Sequence, residues 1–436
     1  MNRFPITSPR ALKWTRLLSQ FLTGQVVIQA LNFLTGFLLL RWLSVTAYAQ
    51  FSVAFAFQST LGMLIDLGFS GSIVALVGSR GGDADIVGRY IRSARHFRNR
   101  MFVVMLGVSV IAFPLVTRNQ HWPVSTKIFL FGAILASLFF QGWAMYAAPL
   151  LINGRIKEFY QAQIFAAAGR LCCCFVLFET AALSAWTAAW VAAAALAATG
   201  LLYRKKSDHL ISEPHRSDPV FNREMLGYLA PLIPGVVFTA FQGQISVALI
   251  TVFGHTKNIA EVAALGRLGQ LFAVFAAVNS VLIEPYIVKV SPSRLAVKYL
   301  VIVACSVVIA GSISAFSVVF PQPLLWVLGS KYGNLQKEIG WIVSGACVSY
   351  VAGVLWVMNS ARKWLFWWYT NLYVFSVLLT QIICVVTMRL TTTHSVIILS
   401  FITSVVILAT HITGGVYGLT RQNLASHQPN QLTETV

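Results

Sequence analysis

The sequence predicts an all-α polytopic membrane protein of about twelve transmembrane helices, arranged as two six-helix lobes around a central cavity. Three observations predict it. The first is composition: 57% of the 436 residues are apolar and only 10% are charged, where soluble domains average roughly 25% charged and about 45–50% apolar. An ordinary soluble enzyme is excluded. The second is the recurrence of apolar runs of roughly 20 residues, the length a helix needs to cross a hydrocarbon core of about 30 Å. The third is the distribution of Lys and Arg, which favours alternate loops. The net charge of +19 would ordinarily suggest nucleic acid, but so few charges cannot coat a soluble surface. No nucleic-acid partner is expected.

The runs fall near 17–40, 48–76, 101–117, 128–152, 160–179 and 183–203, then near 226–252, 260–287, 299–320, 339–359, 365–388 and 394–418. The first follows Arg3, Arg10, Lys13 and Arg16 but is too long for a cleavable signal peptide, so it is expected to remain as a helix. Only the residues around Glu179 separate the fifth run from the sixth. Fused, they would give eleven spans and invert everything that follows. With twelve spans and an inward N-terminus, 23 of the 32 basic residues lie in inner segments and 7 in outer ones. That asymmetry favours twelve spans with both termini in the cytoplasm.

The long polar interruption at 204–225 divides a first lobe, 1–203, from a second, 226–420, with a tail at 421–436. Each half carries an acid toward the inner end of its second helix, Asp66 in one and Glu284 in the other. Six helices per half would make the duplication parallel, with a pseudo-two-fold axis along the membrane normal.

Ionisable groups within spans are costly against lipid and therefore mark cavities or pairs. Arg170 lies about ten residues from the inner end of its helix, near the midplane at about 1.5 Å per residue. It is the leading binding residue; the alternatives are a structural pair with Asp66 or a snorkelling side chain. Arg267 is nearer an outer end and can snorkel more easily. Asp66 and Glu284 are candidates for ion coupling or gating, or else helix-end carboxylates. In the first helix Gln25, Gln29, Asn32 and Gly36 fall within about 60° of one another, giving a polar face. Amides both donate and accept, which suits hydroxyl-rich ligands, although hydrogen bonding between helices explains them as well. Gln163 stands seven residues before Arg170 on the same face, and Thr239, Gln242 and Ser246 repeat the pattern in the seventh run.

Catalytic and metal constellations are missing from the sequence: there is no HExxH, GxSxG or P-loop, and the eight His are scattered. No cofactor and no enzymatic activity are expected. Cys172, Cys173 and Cys174 read as small core or lipid-facing residues. The glycine pairs at 81–82 and 414–415 read as turn chemistry. The basic run Arg89, Arg92, Arg95 and Arg98 would form a slowly turning stripe if helical, and the need to fix topology explains it.

From Leu40 the chain reads LRWLSVTAYAQFSVAFAFQSTLGMLIDLGFSGSIVALVG. With Arg41, Tyr48 and the segment Asp66-Leu67-Gly68-Phe69, this stretch resembles the first two helices of polysaccharide flippases. These are the O-antigen and exopolysaccharide translocases of the multidrug/oligosaccharidyl-lipid/polysaccharide exporter superfamily. A second resemblance runs from Ala230-Pro231 through Ala260 to Pro285. Ala49 stands where the family often has Gly, and Gln242 and Gln244 stand where an acid is common. The resemblance implies two six-helix lobes around a cationic cavity that opens alternately to either side of the bacterial inner membrane. It also implies a polyprenyl-pyrophosphate-linked oligosaccharide as substrate, an ion gradient as driving force, and a polysaccharide polymerase and chain-length regulator as partners. Arg170 and Arg267 would then attract the pyrophosphate and the amides would meet the sugars. Competing readings are a cation-coupled exporter of small amphiphiles, a membrane-embedded glycan polymerase or ligase, and a scaffold that transports nothing.

Overall fold

The structure, a computed structural model, describes residues 9–77, 83–212, 217–269, 272, 275, 279, 283–364 and 366–427. Among these residues every regular element is helical. Ten stretches are long and apolar enough to cross a membrane, and a bent helix pair makes an eleventh. Ten of the 28 residues of the expected span at 260–287 lie outside the described residues. Contacts divide the chain into two compact units, Met1–Ala260 and Glu261–Val436.

In the first unit, α1 (Pro9–Trp42) packs along α7 (Ile156–Glu179). Between α1 and α2 (Val45–Asp66), the Ser44 side chain accepts a hydrogen bond from the Ala47 amide at 3.2 Å and so starts the second helix. The helix ends where Leu67 adopts φ 41° and Gly68 φ 85°. A β-carbon strains the left-handed conformation at Leu67, and glycine relieves it at the next residue. A short α3 (Phe69–Val77) then continues the span.

Helix α4 (Ala84–Val116) runs for 33 residues, about 50 Å, and so outreaches a hydrocarbon core of about 30 Å. Its first turns carry Arg89, Arg92, Arg95 and Arg98, confirming the helical form of the basic stripe. One of these does something topology alone does not require. Arg98 is 8% exposed and donates to the Phe139 carbonyl, near the end of α5 (Val124–Gln141). There α5 gives way to a 3₁₀ turn, Gly142–Tyr146, and then α6 (Ala147–Ile152). Gly142 leaves the room the guanidinium occupies, since a β-carbon there would overlap it.

The fifth and sixth runs are separate helices. The chain turns at Ala181, with φ 55°, and α8 (Ala185–Ser207) opens with a reciprocal cap. The Thr187 amide donates to Ser184 Oγ at 3.2 Å, and the Ser184 amide donates to Thr187 Oγ1 at 2.7 Å. The small side chains Ala188, Ala189, Ala192 and Ala193 are buried and let α8 approach α5 closely. Ala-rich sequence is thus a packing surface here as well as a span.

The expected seventh helix is broken. In place of one rod at 226–252 stand α9 (Pro219–Leu229), α10 (Ile233–Gln242) and α11 (Ile245–Phe253), with a 60° bend between the first two. Pro231 and Pro234 withhold two amide protons and crowd the preceding turn, which breaks a helix at this point. Both ends are tied to the α4 hairpin: Tyr90 donates to Glu224 at 2.6 Å and Arg89 to Asp218 at 3.3 Å at one end. At the other, Gln120 donates to the Thr251 and Gly254 carbonyls, both at 3.0 Å. The end of the polar interruption, from Pro219 on, is therefore docked helix. From α12 (Thr256–Gly269) the chain passes into the second unit.

The second unit holds α13 (Glu284–Lys289), α14 (Pro292–Val319), α15 (Pro321–Leu328), α16 (Gln336–Ala361), α17 (Trp367–Thr387) and α18 (Thr393–His427). Helix α16 packs against α14 and α18. The pair Gly414-Gly415, expected in a turn, lies inside α18 instead. A β-carbon on Gly414 would strike the Tyr369 ring, and one on Gly415 the Tyr299 hydroxyl. The glycines are there for close approach, a requirement set by residues more than forty positions away. The pair at 81–82 lies outside the described residues.

Around these glycines runs a buried polar chain. Tyr299 donates to Asn359 Oδ1 at 2.8 Å, Asn359 Nδ2 donates to the His411 carbonyl at 3.0 Å, and Tyr369 Oη meets His411 Nδ1 at 2.6 Å. Four helices, α14, α16, α17 and α18, are joined by it.

Candidate functional site

A cavity of about 760 Å³ opens within the first unit, walled by α1, α2, α7 and α8 with the end of α5. Its polar lining is made of four amides, Asn32, Gln58, Gln141 and Gln163, together with Arg170, Asp66 and a few hydroxyls. Each reaches it for a local reason. Asn32 sits in α1, which lies close to α7 because Gly24 faces the Tyr160 ring, where a β-carbon would overlap it. Gly24→Val is expected to separate the two helices and lower stability by about 1–3 kcal/mol. Thermal unfolding in detergent measures this, and an unchanged midpoint would contradict the packing.

Gln58 is buried in α2 and ties three helices together, with Nε2 at 3.1 Å from the Ala133 carbonyl and 3.3 Å from that of Ala189. Asp66 closes α2 and opens α3: its Oδ1 accepts from Ser70 Oγ at 2.5 Å and from the Ser70 amide at 3.3 Å. A carboxylate in this place favours the start of a helix. Arg170 projects half-buried from the middle of α7, with Gln163 two turns earlier along the same wall.

The structure thus brings together Asn32, Asp66, Gln163 and Arg170 of the residues singled out from sequence. Gln25 and Gln29 precede Asn32 on α1, half-buried, and do not line the cavity. Gln242 ends α10, whereas that helix reaches the cavity through Val236. Arg267 and Glu284 belong to the second unit, the former 8% exposed and the latter the first residue of α13. Sequence reasoning missed Gln58 and Gln141, and the signal that would have found them is an amide within a predominantly apolar span. It also missed Glu261, a buried carboxylate of the second unit that accepts from Thr393 Oγ1 at 2.5 Å and Asn334 Nδ2 at 2.9 Å. Among the described residues no cluster of His, Cys, Asp and Glu could hold a metal ion.

Fold and cavity define a polytopic helical membrane protein with a polar chamber enclosed by transmembrane helices. Among solved structures, the inward-facing conformation of a multidrug resistance MATE family transporter of the MOP superfamily superposes with a TM-score of 0.66 at 14% identity, over 92% of this chain and 96% of that one. Lipid II flippase MurJ, in an inward closed conformation, gives 0.65 at 10% identity, over 94% and 93% of the two chains. A MOP superfamily transporter from Pyrococcus furiosus, described by the reverse polarity of its binding pocket, gives 0.59 at 13% identity over 94% and 96%. The chain has their fold. No protein-family model matches the sequence, and no curated protein matches it in sequence.

Proposed function

We propose that this protein flips a polyprenyl-pyrophosphate-linked oligosaccharide across the bacterial inner membrane by alternating access of two lobes, for cell-surface polysaccharide synthesis. One observation carries the reading: a guanidinium and four amides converge on a single cavity. A guanidinium pairs with phosphate oxygens through directed hydrogen bonds, and amides offer both donors and acceptors to sugar hydroxyls. Asp66, the carboxylate among the described lining residues, already accepts two hydrogen bonds from Ser70. The balance suits an anionic head rather than a cationic drug. The lipid II flippase that shares the fold is named for a lipid-linked substrate.

In this reading Arg170 holds the pyrophosphate. Asn32 and Gln163, which line the cavity, meet the sugars. Asp66 and Glu284 serve ion coupling or gating, both termini are cytoplasmic, and a polysaccharide polymerase and chain-length regulator act on the product. A strain lacking the protein is expected to accumulate lipid-linked repeat units on the cytoplasmic leaflet while their synthesis continues. If synthesis itself stops, the assignment fails.

The second reading is export of small amphiphiles driven by a cation gradient, favoured by the multidrug resistance transporter that shares the fold. Efflux of a cationic dye from cells expressing the protein, abolished by Asp66→Asn, would favour it over flipping.

A further inference from the structure

At one end of the second unit a separate pocket of about 490 Å³ collects three cations, Arg362, Lys363 and Arg421. They come from chain segments nearly sixty residues apart, so local charge patterning does not explain their meeting. The spans Ser330–Ala361, Trp367–Thr387 and Thr393–Arg421 all terminate here. Three helix ends therefore set the pocket's depth at the membrane surface. Trp367 and Trp368, at the start of α17, are 84% and 38% exposed, in the manner of an interfacial aromatic belt.

The pocket is built rather than incidental. Arg362 Nη1 donates to the Val288 carbonyl at 3.3 Å, and the Arg421 guanidinium lies 5.6 Å from the centre of the Phe366 ring. Lys363 holds φ 59°, a left-handed turn fixed by its amide on the Ser360 carbonyl at 2.9 Å and by the Trp364 amide on the Asn359 carbonyl at 2.8 Å. Trp364 is buried against Gly418, where a β-carbon would overlap its ring. The described carboxylates of this unit are Glu261, Glu284 and Glu338, and none lines the pocket.

We infer that this pocket holds the phosphodiester headgroup of an anionic membrane lipid. Its chemistry is that of a phosphate site: two guanidiniums and one ammonium around an aromatic wall. Its depth selects a lipid over a soluble anion, because a lipid delivers its phosphate at this level while its chains stay between the helices. The site is distinct from the polar cavity of the first unit and does not depend on what that cavity transports.

The test is native mass spectrometry of the full-length protein in detergent, titrated with phosphatidylglycerol or phosphatidylcholine. The wild type is expected to retain phosphatidylglycerol preferentially. Arg362→Gln with Arg421→Gln should weaken that retention roughly 25-fold, at about fivefold per cation at a membrane surface. Lys205→Gln with Arg223→Gln, exposed basic residues of the first unit, should change it less than about twofold. If the double variant does not fold, the exposed Lys363→Gln alone should cost about fivefold. Unaltered phosphatidylglycerol retention in the pocket variants, or equal loss in the first-unit control, would overturn the site. Displacement of the lipid by millimolar inorganic phosphate would overturn its assignment to a lipid.

Discussion

Arg170→Ala is expected to lower flipping of a fluorescent polyprenyl-pyrophosphate oligosaccharide in proteoliposomes by one to two orders of magnitude, while the protein still inserts and folds. A hydrogen bond to a charged group contributes about 1.5–3 kcal/mol, which corresponds to roughly 10- to 150-fold in affinity. The loss falls on a cation in the middle of a helix, where no neighbouring lysine or arginine of the described cavity lining takes its place. Arg170→Lys keeps the charge but loses the planar pair of donors, and should retain an intermediate rate. Normal transport by Arg170→Ala would remove the cavity from the proposed mechanism, whatever the protein carries.

Asn359→Leu is expected to destabilise the second unit by about 2–4 kcal/mol, read as a lower unfolding temperature in detergent. Two effects act together. The Tyr299 hydroxyl loses its acceptor and the His411 carbonyl loses a donor, both buried, at about 1–3 kcal/mol for each group left unsatisfied. The branched side chain also has to fit beside Gly415, where an added β-carbon would lie 3.2 Å from Asn359 Oδ1. Hydrogen bonds between membrane helices average nearer 0.6 kcal/mol by double-mutant cycles, so an effect below about 1 kcal/mol would mean that the network is solvated or replaceable. Tyr369→Phe, which removes the bond to His411 but leaves Asn359 bound to Tyr299 and to the His411 carbonyl, should cost less.

How far the sequence carries can be read from these same residues. Arg170 was legible because an arginine in the middle of an apolar run has few physical explanations. Asn32 and Gln163 were legible through helical periodicity, which orders side chains around an axis without any knowledge of neighbours. Gln58 was not, since an amide in a mostly apolar helix acquires meaning only when the carbonyls of Ala133 and Ala189 are brought beside it. Gln25 and Gln29 share the face of Asn32 but do not line the cavity, a difference that periodicity within one helix does not show. The Gly414-Gly415 pair misled for a related reason: a glycine is required equally by a turn and by a close approach, and only the Tyr299 and Tyr369 rings distinguish them.

What the sequence determined by itself is the solvent. Apolar runs of membrane length and a biased placement of Lys and Arg are properties of single segments, so they fix helical spans without any tertiary information. What the tertiary structure decided is which polar residues meet. The gathering of four amides around Arg170 and the convergence of Arg362 and Lys363 with Arg421 join residues distant in the chain. Helical periodicity says which side of a helix is polar, and packing alone says what that side faces.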